Sequence, residues 1–255
     1  MNARLRIAPP VILASALLAG CAATTQGDID PYETANRETH EFNTDVDRAL
    51  VRPASQVYGT VLPSVLRRGV SNVSDTVGLP GVIANDILQA RLDDAGYNLF
   101  RFTVNATIGI GGLLDVANAF GLPARPTDFG ETLHVWGAGE GPYVVLPVIG
   151  PSTTRDAVGL AVDVALNPAK VVFGADVVKA IGPLRAATLV NDRYEYSDIY
   201  ESVLYDSADS YTVMKLTYLD SRRYTLTGND PARDTGGEPS ADDAANYDLY
   251  EDFYD

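Results

Sequence analysis

The sequence predicts an all-α protein. Apolar residues recur at helical spacing in several segments, as in Ala35, Phe42, Val46 and Ala49. Glycine and proline residues separate these segments, and between residues 30 and 105 no strand-like alternation competes with the helical pattern. The chain has 255 residues, of which 46% are apolar, so it can form a substantial core.

Residues 1–20 have the pattern of a secretory signal peptide. Arg4 and Arg6 precede a short apolar run that ends in small residues and is too short to span a membrane. The following Leu18-Ala19-Gly20-Cys21 resembles a bacterial lipobox, which implies cleavage before Cys21 and lipidation of its thiol. The alternative is an ordinary signal peptide with an incidental Cys. Residues 21–29 form a short lipidated tether, and Ala22 after Cys21 favours the outer membrane by resemblance to known lipoprotein sorting.

The next segment is a series of predicted helices. Asp30 is expected to cap the first helix, with Pro31 in its first turn and Glu33 closing a capping box. This helix is expected to end at Arg52-Pro53, because the residue before a proline disfavours helical backbone. Breaks at Pro63 and at residues 78–81 then separate further helices over residues 54–62, 64–77, 82–90 and 93–105.

Residues 101–151 are rich in glycine, proline and apolar side chains. Residues 107–112 cannot form a stable exposed helix, since each Gly costs ~1 kcal/mol relative to Ala. Residues 113–120 can form a short helix, and Asp128 can cap another that runs to His134. A glycine-rich break at 137–142 precedes an extended apolar run at 143–147. The uncharged runs 102–114 and 141–154 are shorter than the ~20 residues of a membrane span.

The C-terminal part is predicted to be helical up to residue 227. Ser152 is expected to cap a helix that ends at Asn167-Pro168, and Gly182-Pro183 is expected to separate two later helices. Further helices are predicted over residues 197–205 and 209–226. Residues 228–255 contain nine carboxylates, one Arg and no Lys, which predicts a solvated tail. Its aromatic residues leave a short docking segment as the alternative.

Several function classes are disfavoured by the sequence. The formal charge of −15, without a basic cluster, argues against nucleic-acid binding. The glycine-rich runs contain neither a dinucleotide-binding nor a phosphate-loop motif, and a nucleophile elbow is absent from the sequence. The two histidines, His40 and His134, have no metal-ligand spacing. We therefore expect no enzyme activity, no cofactor and no metal.

Four segments resemble the motifs of the VacJ-like, or MlaA, family of outer-membrane lipoproteins. They are DPYETANRETHEFN (residues 30–43), RPASQVYGTVLPSVLRRGVSN (52–72), RFTVNATIGIGGLLDVA (101–117) and DFGETLHVWGAGEGPYVVLPVIGPSTTRD (128–156). The resemblance implies one ring-like helical domain, residues 30–227, that lies in the periplasmic leaflet of the outer membrane and encloses an amphipathic channel. It implies association with trimeric porins, removal of mislocalised phospholipid from the outer leaflet, and delivery to a soluble periplasmic lipid-binding protein.

The resemblance also implies site residues. Residues 129–147 correspond to a flexible glycine-rich hairpin that lines the channel, and Phe42 and Asn43 to neighbours that influence its position. The predicted channel residues are Phe129, Gly130, Leu133, Trp136, Gly137, Gly139, Gly141, Pro142, Tyr143, Leu146 and Pro147. The family usually carries Pro and Arg where this chain has Ser210 and Lys215, so no role carries over to these two positions. The rival functions are a porin scaffold without transport and a membrane-surface hydrolase.

Overall fold

The computed structural model of the protein describes residues 29–227. The predicted signal peptide, the lipidation site Cys21 and the acidic tail from residue 228 lie outside the described residues. The described part is mainly helical, which confirms the predicted class. Its helices are α1 (Glu33–Val46), α2 (Arg52–Val61), α3 (Ser64–Leu88), α4 (Leu92–Thr107), α5 (Val116–Ala119), α6 (Phe129–Val135), α7 (Thr154–Ala165), α8 (Ala169–Phe173), α9 (Ala175–Glu195), α10 (Ser197–Glu201) and α11 (Ser210–Leu226).

One short hairpin interrupts the helical pattern. Its strands are β1 (Tyr143–Leu146) and β2 (Gly150–Thr153), which pair antiparallel with Tyr143 opposite Thr153. β1 coincides with the extended apolar run that the sequence predicts at residues 143–147. In the helical part, α3 packs on α4, α9 packs on both α2 and α3, and α6 packs on α7. Within residues 29–227, no helix combines the length and the apolar character that crossing a membrane requires.

Three expected helix breaks are absent from the described chain. Helix α1 continues into α2 through a π-helical turn, Asp47–Val51, so the expected end at Arg52-Pro53 is wrong. Pro53 lies in the first turn of α2, directly after the π-helical turn. Helix α3 contains Pro80 and α9 contains Pro183, so the breaks expected at 78–81 and at Gly182-Pro183 are also wrong. Packing against neighbouring helices offsets the proline cost of ~3 kcal/mol.

The expected helix caps are partly correct. Asp128 caps α6 as predicted, since its carboxylate accepts from the Glu131 N–H at 2.8 Å. Thr153 rather than Ser152 caps α7. Asp30 does not cap α1, because Tyr32 occupies that position and the Asp30 carboxylate is buried as an acceptor for other side chains. Its burial among polar partners therefore overrides the local capping preference.

The distribution of polar and apolar side chains is inverted relative to a water-soluble domain. Among the described residues, nine hydrophobic residues are buried, compared with twenty-one polar or charged residues. Thirty-six large hydrophobic residues are exposed in the same part of the chain. Leu50, Val57 and Val61 line one apolar groove with Ala187 and Val190 of α9. Contiguous apolar surface of this kind is typical of contact with a membrane or a partner protein.

The glycine-rich turn after α4 packs closely on α3. Gly112 has a left-handed backbone, with φ of +91°, and a Cβ atom at this position would lie 2.6 Å from Cβ of the buried Thr76. Gly111 has a similar φ of +68°, but a Cβ atom placed there would have no heavy atom of residues 29–227 within 4 Å, its own chain neighbours apart. A substitution at Gly111 therefore affects only the backbone conformation, whereas a substitution at Gly112 also creates a steric clash with α3.

We expect Gly112→Ala to destabilise the protein more than Gly111→Ala. Both changes impose a left-handed conformation on a residue with a Cβ, at ~1–2 kcal/mol. Only Gly112→Ala also overpacks the contact with Thr76, which adds ~1–3 kcal/mol. Chemical unfolding in detergent, followed by circular dichroism, measures both losses. Equal losses would show that the contact with α3 contributes nothing.

Candidate functional site

The predicted hairpin segment, residues 129–147, consists of helix α6, a glycine-rich connection and strand β1. Gly130 lies buried at the start of α6. A Cβ atom at this position would lie 2.5 Å from Asp156 Oδ1 and 2.9 Å from Arg222 Nη2. The absence of a side chain at Gly130 thus lets α6 lie directly against a charged pair from α7 and α11.

This charged pair is part of a polar cluster that fixes the base of the segment. Arg222 donates to Asp128 Oδ2 at 2.8 Å and to Asp156 Oδ2 at 3.0 Å, and the Tyr218 hydroxyl donates to Asp156 at 2.7 Å. Burial raises the pKa of Asp156, but hydrogen bonds from Arg222 and Tyr218 outweigh it and hold this pKa below its ordinary value. The cluster therefore stabilises α6, α7 and α11 as one unit when Asp156 is ionised.

The middle of the segment is open. The Trp136 ring is 57% exposed, its indole N–H donates to the Leu88 carbonyl at 3.0 Å, and it makes an edge contact with Phe129. Leu133 is half-buried, whereas Gly137 and Gly139 are exposed. Gly137 and Gly141 have left-handed φ of +91° and +72°, and Gly137 directly follows the C-terminal cap of α6. The middle of the segment is therefore more exposed than its start at Gly130 and its end at Tyr143.

The end of the segment enters the interior. Tyr143 is only 1% exposed and contacts the rings of Tyr211 and Tyr218 at centroid distances of 6.1 and 6.4 Å. Leu146 is half-buried and Pro147 is exposed. The predicted site residues therefore form one continuous segment, but its members range from a buried ring to an exposed turn.

Asn36 on α1 holds the first half of β1. Its side-chain amide donates to the Tyr143 carbonyl at 3.1 Å and accepts from the Val145 N–H at 2.9 Å. These are the bonds that a neighbouring strand would otherwise form along the edge of β1. Asn36 is not among the site residues predicted from the sequence, although a polar residue on the inner face of an amphipathic helix is a signal for such a role.

Asn43 holds the turn at the end of β1. It lies seven residues after Asn36, two helical turns along the same face of α1. Its amide donates to the Leu146 carbonyl at 3.0 Å and accepts from the Val148 N–H at 2.6 Å. Phe42, the other predicted neighbour, is 52% exposed. We call the pair Asn36 and Asn43 the amide clasp.

Asp30 joins the amide clasp to helix α11. Its buried carboxylate accepts from Asn36 at 2.8 Å, from Lys215 at 2.8 Å and from the Tyr211 hydroxyl. Burial raises the pKa of Asp30, but the hydrogen bonds from Lys215, Tyr211 and Asn36 outweigh it and lower this pKa. Lys215, a departure from the family motif, thus has a defined partner. The other departure, Ser210, bonds to His40 Nε2 at 2.8 Å.

A cavity of about 360 Å³ lies between α3, α4 and α9. Its lining is not predicted from the sequence, because the residues come from distant parts of the chain. Its walls are both charged and apolar, and they include Asp75, Leu79, Val82, Arg101, Asp115 and Arg185. Within residues 29–227, no group of three His, Cys, Asp or Glu side chains could hold a metal ion.

We expect the free energy of unfolding to decrease below about pH 4. Asp30 and Asp156 have folded pKa values below the ordinary 3.8, so their contribution is complete above that pH and is lost as they become protonated in the folded state. Asp156→Asn should make the dependence less steep between pH 5 and pH 3, whereas the exposed Asp220→Asn should leave it unchanged. Urea unfolding in nonionic detergent across this range measures the slopes; identical slopes for all three proteins would contradict the assignment.

Comparisons with known proteins agree on one family. The family model described as MlaA lipoprotein matches residues 28–225. An uncharacterized protein of Rickettsia felis is 35% identical over 187 residues, which are 73% of each chain. The Escherichia coli intermembrane phospholipid transport system lipoprotein MlaA is 37% identical over 151 residues, covering 56% of this chain and 60% of the relative.

A solved structure is also similar to this fold. It comes from work on the structural basis for maintenance of bacterial outer membrane lipid asymmetry. The superposition has a TM-score of 0.66 at 27% sequence identity and covers 77% of this chain and 98% of the other. The family match covers most of the chain, including the segment from α6 to β2 and both members of the amide clasp. The chain therefore belongs to the MlaA lipoprotein family.

Proposed function

We propose that this protein is an outer-membrane lipoprotein that removes mislocalised phospholipids from the outer leaflet. It passes them to a soluble periplasmic lipid-binding protein and so maintains lipid asymmetry. Relatives in Escherichia coli and Shigella flexneri are named as lipoproteins of an intermembrane phospholipid transport system, which supports this proposal. Lipid transfer of this kind moves a molecule without covalent chemistry, so we propose no catalytic residue and no cofactor.

The inverted distribution of side chains is the observation that carries the proposal. Apolar side chains on the outside are stable against acyl chains, and examples are Leu50, Ile87, Leu99, Ile110 and Val171. Charged and polar groups inside can surround a hydrated headgroup path. We propose that the helices lie in the periplasmic leaflet as a ring, and that the cavity between α3, α4 and α9 belongs to its amphipathic channel.

We propose that the hairpin segment, residues 129–147, regulates this path. The amide clasp stabilises one position of β1 through side-chain hydrogen bonds that water can replace at the half-exposed Asn43. Val148, in the turn that Asn43 holds, has a left-handed φ of +67° that a β-branched residue adopts at a cost. Release of the turn would relieve this strain, so the clasped and released positions can have similar energies.

The exposed apolar surface and the lipid anchor also indicate the partners that we propose for the protein. A trimeric porin would cover part of the exposed apolar surface and hold the ring beside the outer leaflet. The lipid anchor on Cys21 would keep the chain at the periplasmic face, where a soluble lipid-binding protein can receive the phospholipid. A scaffold that only associates with porins is the second candidate, and it requires no channel.

Deletion of the gene should raise the phospholipid content of the outer leaflet and sensitise cells to SDS–EDTA. Full-length protein should restore both properties, whereas Cys21→Ser should not, because it removes the proposed anchor. Surface labelling of phospholipids in deleted and complemented cells measures the effect. A normal outer leaflet in the deletion strain, with a porin that co-purifies with the full-length protein from complemented cells, would instead favour the scaffold.

We expect Asn43→Ala to release the hairpin turn without unfolding the protein. It removes two hydrogen bonds at a net cost of ~0.5–1.5 kcal/mol each, and the resulting gap is open to water. Hydrogen–deuterium exchange should increase at residues 146–150, and outer-leaflet phospholipid should change in cells.

Thr39→Ala is the matched control for this variant. Thr39 lies on the same helix, but its hydroxyl bonds to the Ala35 carbonyl within α1. It should leave both exchange and lipid distribution unchanged. If exchange increases in Asn43→Ala and lipid distribution stays normal, the hairpin has no regulatory role.

A further inference from the structure

The charged groups that line the cavity between α3, α4 and α9 are of two kinds. Those of the first kind already bond to protein partners. Arg101 bonds to Asp115 at 3.3 Å and to the Leu122 carbonyl. Arg125 bonds to Asp94 at 3.0 Å and stacks over the Tyr97 ring at 3.8 Å. These groups support the cavity wall, and their charges are largely neutralised by their partners.

Asp75 and Arg185 are of the second kind. Both line the cavity, and within residues 29–227 neither side chain forms a hydrogen bond or an ion pair. The Arg185 guanidinium lies above Gly78 of α3, where a Cβ atom would come within 3.9 Å of Nη2. One carboxylate and one guanidinium therefore line the same cavity without forming an ion pair with each other.

The surroundings of Asp75 favour a bound cation. Asp75 is exposed by surface area, although neighbouring protein desolvates part of its carboxylate. This desolvation, with the charges of Asp192 and Asp115, raises the pKa of Asp75 despite the opposing effect of Arg101 and Arg185. The two neighbouring carboxylates, Asp192 and Asp115, thus repel a further negative charge and attract a cation beside Asp75.

We propose that the cavity binds the zwitterionic headgroup of an aminophospholipid, with Arg185 bonded to the phosphate and Asp75 to the ammonium. The inference rests on the proposed lipid-transport function and names its substrate class. A guanidinium is suited to a phosphate, and a carboxylate to an ammonium, through charge-assisted hydrogen bonds. An anionic headgroup such as phosphatidylglycerol could use Arg185 but would be repelled by Asp75.

The size and lining of the cavity agree with this ligand. Its volume of about 360 Å³ is at the lower end of the ~300–1,000 Å³ of small-molecule sites. It has room for a headgroup, while two acyl chains would have to extend beyond it. Leu79 and Val82 supply an apolar wall along which those chains can leave. Free glycerophosphoethanolamine carries the same two charges, so the experiment must distinguish it from a lipid.

The test uses the full chain in nonionic detergent and three probes: dihexanoyl phosphatidylethanolamine, dihexanoyl phosphatidylglycerol and glycerophosphoethanolamine. Isothermal titration calorimetry should show the tightest binding for the ethanolamine lipid. Asp75→Asn should weaken its binding about tenfold and abolish the preference over phosphatidylglycerol. Arg185→Gln should weaken both lipids, since both carry the phosphate.

Matched controls are exposed residues away from the cavity lining. Asp220→Asn on α11 and Lys179→Gln on α9 remove the same charges and should leave all affinities unchanged. Because neither the Asp75 nor the Arg185 side chain has a hydrogen-bond or ion-pair partner among the described residues, their variants should not lower the unfolding midpoint. Equal affinities of the wild-type chain for the two lipids would overturn the proposal, as would an unchanged preference in Asp75→Asn. Equal binding of glycerophosphoethanolamine and the ethanolamine lipid would overturn the lipid assignment.

Failure of this site and failure of the transport function give different results. If gene deletion raises outer-leaflet phospholipid but the purified chain has no ethanolamine preference, the headgroup site is wrong and transport stands. If the chain shows the preference and Asp75→Asn abolishes it, but deletion leaves the outer leaflet normal, transport is wrong and the binding site stands.

Discussion

The fold depends on buried charges that are paired with one another. Arg193 on α9 is 2% exposed, and it donates to Asp47 at 2.9 Å and to Glu201 at 2.7 Å. Asp47 also accepts from the Tyr205 hydroxyl at 2.7 Å. Because so many apolar side chains face outward, these contacts, rather than an extensive apolar core, determine how the helices pack. Removal of one partner from such a buried pair typically costs ~3–5 kcal/mol, since the other charge remains buried.

Two π-helical turns belong to this arrangement. Asp47 begins the first one, Asp47–Val51, and Tyr205 lies in the second, Ser202–Asp206. A π turn changes the angular position of the following side chains relative to a regular helix, and such turns are frequent at functional sites. Here the two turns meet at the hydrogen bond between Tyr205 and Asp47. The same geometry allows α1 to continue into α2 past Pro53, where regular helix rules predict an end.

The sequence predicts those features of the fold that depend on neighbouring residues in the chain. It does not predict features that depend on packing between distant segments. Helical spacing correctly predicted most helices, and the run expected to be extended at residues 143–147 contains β1, although no strand was predicted there. Its partner β2, with the sequence Gly-Pro-Ser-Thr, has little intrinsic strand preference and forms because β1 is beside it. The breaks expected around Pro80 and Pro183 failed because tertiary packing outweighed local propensity. Asp75 and Arg185 are 110 positions apart, so no local pattern could bring them to one cavity.

The two ends of β1 differ in how firmly they are held. At the Tyr143 end, the N–H donates to the Ile29 carbonyl, and the carbonyl accepts from the buried Asn36, which is itself fixed by Asp30. At the other end, Leu146 and Val148 bond to Asn43, which is half-exposed and lies beside an exposed turn. Water can replace the second set of bonds but has little access to the first. Any movement of the β1–β2 hairpin is therefore expected to pivot at Tyr143. Its largest amplitude is expected at the turn between the two strands.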